Sequence, residues 1–97
     1  MQVTQHPEAT AELTEASQVY EQRIPSLGTQ FLDAVDDAVA IISNAPERWR
    51  IVDDEVRRYL MPRFPYAIYY RSLPGEIRIL AFKHHSRRPD YWVGRKA

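Results

Sequence analysis

The sequence predicts an α+β domain of order β-α-α-β-β-β, an N-terminal helical hairpin packed on a small antiparallel sheet, and three observations carry that prediction. Apolar residues recur at a spacing near 3.6 as far as Ala45 and at a spacing of two from Trp49 onward. Pro7, Pro25 and Pro46 punctuate the first half where helices would begin and stop. Leu73-Pro74-Gly75-Glu76 divides the second half into two alternating runs, Pro74 presetting its φ and Gly75 being free to take a positive one.

Gln2 to Gln5 is a short candidate strand. Pro7 then stands at a first helical position, where its missing N–H loses nothing, and Glu8 favours the positive end of the helix dipole. Ala9, Leu13, Ala16, Tyr20 and Ile24 line one face of this helix, and Pro25 pushes Ile24 out of the α region to end it. Ser26 is placed to cap a second helix with Phe31, Val35, Ala38, Ile42 and Ala45 on one face, widened by Leu32 and Val39 and stopped by Pro46. A strand region follows from Trp49 to Met61, and the acidic run Asp53-Asp54-Glu55 inside it suits a turn or bulge. Tyr66, Ile68 and Tyr70 alternate with Ala67, Tyr69 and Arg71 in the next strand; Ile77, Ile79 and Ala81 alternate with Arg78, Leu80 and Phe82 in the last. The helical hairpin covers one face of this sheet, and the other is expected to stay free for partners.

A chain of 97 residues folds around one modest core, so residues 1–97 form a single domain: 1–47 a strand and an acidic helical hairpin, 48–97 a basic sheet and C-terminal turn. The charge is sorted accordingly. Residues 1–47 hold eight carboxylates against the single cation Arg23, a net of −7, while residues 48–97 hold twelve cations against five carboxylates, a net of +7. The formal total is zero, but binding follows local potential, which decays over roughly 8–10 Å in physiological salt. With no cysteine, a disulfide framework and a thiolate metal site are both excluded. The first residues lack the basic start and apolar run of a secretion signal, and no stretch of about 18 apolar residues exists to span a bilayer. A cytoplasmic protein without membrane partners is expected.

The second half interleaves cations with aromatics: Arg57, Arg58, Arg63, Arg71, Arg78, Lys83, Arg87, Arg88, Arg95 and Lys96 with Tyr59, Tyr69, Tyr70, Tyr91 and Trp92. Arginine forks hold carboxylate or phosphate bidentately, and aromatic faces stack on unpaired bases. The same residue types also serve exposed strands as edge protection and cross-strand pairs. His84, at the end of the last strand near Arg87, is the side chain best suited to acid-base work near neutral pH; its plainer role is to tie the strand end to the following turn. His85 points to the opposite face of a strand, so the pair cannot chelate a metal together, and no metal or cofactor is expected. Asp36-Asp37 and Asp53-Asp54-Glu55 read as solvated faces. Scattered glycines and serines give neither a phosphate loop nor a nucleophile elbow. Tyr91 and Trp92 equally suit anchors that dock a C-terminal turn.

Four motifs in order carry a family likeness: Pro25-x-Leu27-Gly28 with Phe31-Leu32-Asp33, then Arg57-Arg58-x-Leu60, then Phe64-Pro65-Tyr66-x-Ile68-x-Tyr70, and finally Ala81-x-x-His84-x-x-Arg87-x-Pro89-x-x-Trp92. With these the chain resembles the RelE/ParE superfamily of type II toxin-antitoxin toxins, and within it the ParE-like branch known as plasmid stabilisation proteins. The resemblance covers nearly the whole chain. It implies the same β-α-α-β-β-β fold, a growth-arresting toxin and a cognate antitoxin that wraps and neutralises it, in a hetero-oligomer. ParE-like members poison DNA gyrase and have no chemistry of their own; RelE-like members are ribosome-dependent mRNA endonucleases. The Phe-Pro-Tyr and His-x-x-Arg-x-Pro motifs favour gyrase, and the missing lysine-rich central strand speaks against ribosome and mRNA. On either reading Arg57, Arg58, Arg71, Arg78, His84, Arg87 and Tyr91 are the residues expected to meet the target. In a nuclease His84 or Tyr91 would be the acid or base, and Arg57, Arg78 and Arg87 would hold phosphate. A non-toxic module kept for antitoxin binding is the third reading. An acidic and apolar antitoxin segment is expected to lie across Arg57 to Lys83.

Overall fold

The structure, a computed structural model, describes residues 1–96. It runs β1 (Gln2–Gln5), α1 (Pro7–Arg23), α2 (Leu27–Asn44), β2 (Ile51–Asp53), β3 (Val56–Leu60), β4 (Tyr66–Leu73) and β5 (Glu76–His84), closing with a turn of 3-10 helix at Val93–Arg95. The expected α+β architecture holds, and the acidic run does split the first strand region into β2 and β3, with Asp54 turning at φ 47. The sheet order is β1-β5-β4-β3-β2. Four strands pair antiparallel, but β1 lies parallel to β5, with Gln2 opposite Glu76 and Gln5 opposite Ile79. The sheet is therefore mixed rather than wholly antiparallel. Parallel neighbours need a long crossover, and here it comprises both helices and three strands.

His6 accepts the Glu8 N–H through Nδ1 at 3.1 Å to start α1, and Ile24 leaves the helix at φ −141, the extended geometry its following proline demands. The start of α2 differs from expectation. Ser26 occupies the cap position but turns at φ 69, and its hydroxyl donates to the Pro25 carbonyl instead of accepting from the helix. Glu21 of α1 does the capping: its carboxylate accepts the Ser26 N–H at 2.9 Å and the Gly28 N–H at 3.0 Å, placing negative charge at the positive end of α2. The helices pack closely at Gly28, where a β-carbon would overlap the Ser17 carbonyl oxygen and come 2.9 Å from Glu21 Cβ.

The larger core lies between the helices and the sheet. Phe31, Val35, Ala38 and Ile42 of α2 and Ala9 and Ala16 of α1 are buried against Tyr59, Phe64, Ile68, Tyr70, Ile77, Ile79 and Phe82. Phe31 packs its ring 5.1–5.2 Å from those of Tyr20, Phe64 and Tyr66. Fully buried Tyr70 donates its hydroxyl to the Pro46 carbonyl at 2.6 Å, and burial pushes its phenol up to about 12. A raised folded-state value means stability is intact below the unfolded phenol's ordinary value, near 10, and is lost as pH climbs through about 12. We therefore expect alkaline denaturation to set in above about pH 10. Tyr70→Phe should flatten that limb of the pH-stability curve while lowering stability at neutral pH by about 1 kcal/mol for the lost hydrogen bond; an unchanged alkaline limb would show that Tyr70 contributes nothing to it.

The opposite face of the sheet is not free, as the sequence suggested, but carries a second core. Val56, Ala67, Tyr69, Leu80 and Ala81 are roofed in part by Trp92, whose ring lies 4.9 Å from that of Tyr69 and whose Nε1 donates to the Pro89 carbonyl at 2.8 Å. A bulge in β5 makes this possible. Tyr69 opposes Ala81 while Tyr70 opposes Ile79, leaving Leu80 as the extra residue. Beyond it the alternation is inverted: Phe82 joins Ile77 and Ile79 on the helix side, and Ala81 turns away, the reverse of a strict period of two.

Candidate functional site

The bulge decides where the functional candidates point. It sends Lys83 to the face turned away from the helices, opposite Ala67, and sends His84 to the helix side, opposite Tyr66. Arg58, Arg71 and Arg78 share the face of Lys83 on three neighbouring strands, Arg71 directly opposite Arg78. Arg71 is held by Glu55 at 3.0 Å and by the Lys96 carbonyl at 3.1 Å. Lys96 in turn pairs with Asp53 at 3.1 Å and Asp54 at 2.8 Å, and its hydrogen bond and charge hold the Asp54 carboxyl below its usual range.

Arg57 does not join them. It opposes Tyr70 on the helix side and donates from Nη1 to the carbonyls of Glu47 at 3.0 Å and Trp49 at 2.8 Å, stapling the link that follows α2. His84 sits at the mouth of a cleft between α1 and the end of β5, together with Glu15, Tyr20, Arg23, Tyr66 and Arg87. Its ring stands edge-on to Tyr66 at 5.1 Å, and its Nδ1 accepts the Ser86 N–H at 3.0 Å, which leaves Nε2 to carry the proton of the neutral ring. This is also the strand-tying role that the sequence allowed. Arg87 lies 3.9 Å over the Tyr91 ring.

Tyr91 is an anchor. Its hydroxyl donates to Glu12 of α1 at 2.5 Å, and burial followed by that bond pushes the phenol well above its ordinary range. Glu12 accepts three further contacts: the Phe82 N–H at 3.1 Å, Arg95 Nη1 at 2.9 Å and, more distantly, Arg87 at 3.9 Å. Since β1 stops at Gln5, the edge of β5 has no strand partner at Phe82, and the Glu12 carboxylate substitutes for one. Arg95, nearly buried, also donates to the Leu80 carbonyl at 3.2 Å and lies 3.5 Å from Glu8. Burial works to lower its pKa, but the bond and charge of Glu12 outweigh it and the net direction is up. A lone glutamate on an amphipathic helix gives no sequence signal for this junction.

Lys83 was the other omission from the expected contact set. It is 7% exposed, and its Nζ has only the His84 carbonyl, at 3.3 Å, as a hydrogen-bond partner among the described residues. Burial lowers its pKa, and the charges of Arg58 and Arg87 push it the same way. No strict alternation pattern could have placed Lys83 here, because the bulge sets its direction.

Among the described residues no helix is long and apolar enough to cross a membrane. A family model described as the ParE toxin of the type II toxin-antitoxin system parDE matches residues 3–89. The match stops short of Tyr91, Trp92 and Arg95. Among solved structures, a chain of the chromosomal ParDE toxin-antitoxin system from P. aeruginosa is similar, with a TM-score of 0.63 and 22% identity over 87% of this chain and 95% of that one; it shows a shared fold. No curated protein matches the sequence.

Proposed function

This chain belongs to the ParE toxin family of type II toxin-antitoxin systems, and from that premise we propose that it is held by a cognate antitoxin and, once released, poisons DNA gyrase. The observation that carries the choice of target is the dispersal of the groups an RNA-cleaving site would need. Tyr91 is committed to Glu12 and Arg57 to two backbone carbonyls. Arg78 and His84 point to opposite faces of the sheet. A general acid or base must lie within hydrogen-bond reach of the reacting group while cations hold the phosphate; of the expected phosphate-holding arginines only Arg87 shares the cleft of His84, and Arg57 and Arg78 lie elsewhere. Arg58, Arg71 and Arg78, by contrast, share one face, an arrangement suited to a binding patch on another protein.

Inducing the chain without antitoxin in a bacterial host tests this. We expect DNA breaks, SOS induction and filamentation, with transcripts intact over the first minutes. Codon-phased transcript cleavage without DNA damage would replace gyrase by the ribosome and return His84 and Arg87 to consideration as catalytic groups. Normal growth would leave only an antitoxin-binding module.

A further inference from the structure

We infer that Lys83, on the face it shares with Arg58, is a receptor for a single carboxylate side chain of the antitoxin. The inference rests on the antitoxin-partnered reading above and adds the place and chemistry of one contact. A buried ammonium ordinarily has a counter-ion, because taking an unpaired charge out of water is expensive. Lys83 is 7% exposed, its hydrogen bond goes to a neutral carbonyl, and among the described residues no carboxylate pairs with it. Arg58, on the same face, likewise has no side-chain hydrogen bond or ion pair among the described residues, and Arg87 has only the 3.9 Å approach to Glu12. Two cations thus share one face with no carboxylate among the described residues paired to either, and Arg87, which lines the cleft on the other side of β5, adds its charge from nearby. An anion from outside would remove the imbalance.

The rim selects which anion. Glu12 lies beside Arg87, Glu55 beside Arg71, and Asp53 and Asp54 beside Lys96, so the basic region is small and bordered by carboxylates. A nucleic-acid strand repeats its charge at every nucleotide and would meet that border within a screening length. One carboxylate would not. Depth favours a slender bearer: Lys83 is largely buried beside a face partly roofed by Trp92, a site that one inserted side chain fits better than a broad folded surface. A flexible segment that orders on the toxin can insert one side chain.

The test uses the toxin and the antitoxin encoded beside it. Lys83→Met keeps the length and apolar stem of the side chain. It should weaken antitoxin binding by about 10- to 100-fold while leaving the melting temperature of the free toxin equal or higher, since an uncompensated charge has been removed. In the wild type, the Lys83 amine, followed by carbon-13 NMR of labelled lysine, should titrate at higher pH in the complex than in the free protein. A variant that binds within about threefold of wild type, or a Lys83 titration that the antitoxin leaves unmoved, would overturn the inference. Normal antitoxin binding by Lys83→Met with lost gyrase inhibition would overturn it too, by assigning the anion to the target. The NMR arm uses the unmodified chain and decides the matter even if the variant fails to fold. A wild-type chain that binds no antitoxin at all is a different result, which defeats the toxin reading itself.

Discussion

Glu12→Ala is expected to lower the unfolding free energy by about 3–5 kcal/mol, the range for breaking a buried ion pair from one side. The side chains of Glu12 and Arg95 are 14% and 10% exposed, so the guanidinium stranded by the substitution cannot recover full hydration. The Phe82 N–H and the Tyr91 hydroxyl lose their acceptor in the same step, and unsatisfied buried donors carry their own penalty. For a domain whose total stability is on the order of 5–15 kcal/mol, a large part of the margin is at stake. Urea unfolding measures it directly. Glu12→Gln keeps an acceptor oxygen but not the charge, and should fall between wild type and alanine. A loss below about 1 kcal/mol for Glu12→Ala would mean that the C-terminal segment is not anchored through this carboxylate.

Phe31→Ala is expected to cost about 3–5 kcal/mol by leaving a ring-sized void. Phe31 is fully buried and its ring is contacted by Tyr20, Phe64 and Tyr66 from both helix and sheet sides, so no single neighbour can relax into the gap without leaving another. Leu32, the next residue on the same helix, is 38% exposed, and Leu32→Ala should stay within about 1 kcal/mol. Equal effects at the two positions would contradict the packing of α2. The comparison separates burial from helix propensity, because both changes install the same good helix former.

The prolines and the apolar spacing made both helices legible, since those signals are local: Pro7, Pro25 and Pro46 bound α1 and α2 nearly where they were expected, and the Pro74-Gly75 turn falls where φ of Gly75 is +71. What sequence reading missed was decided by distant parts of the chain. The parallel pairing of β1 with β5 has no local signature. The cap of α2 comes from Glu21, which belongs to the other helix, although Ser26 was the better candidate by residue type. The bulge at Leu80 reverses the facing of every later residue in β5, so one register slip separated His84 from Arg78 and brought Lys83 to the basic face, which could not be read from alternation alone. The same slip moves His84 off the basic face to the cleft rim beside Arg87, whereas Arg57, on the regularly paired β3, is turned from Arg58 to its backbone staple by ordinary alternation. Tyr91 proved to be the anchor that the sequence already allowed.

The parallel pairing of β1 with β5 also sets a clock. Gln2 to Gln5 leave the ribosome well before their partners Glu76 to Ile79, and the donors to Glu12 at Tyr91 and Arg95 follow later still. At synthesis rates of about 5–20 residues per second, the first strand waits on the order of 4–15 s for its neighbour. Through that interval the nascent chain has helices but no closed sheet, and its apolar stripe and basic strands are open to any segment able to pair with them. The antitoxin proposed above, if at hand during synthesis, would meet each new copy before its sheet has closed.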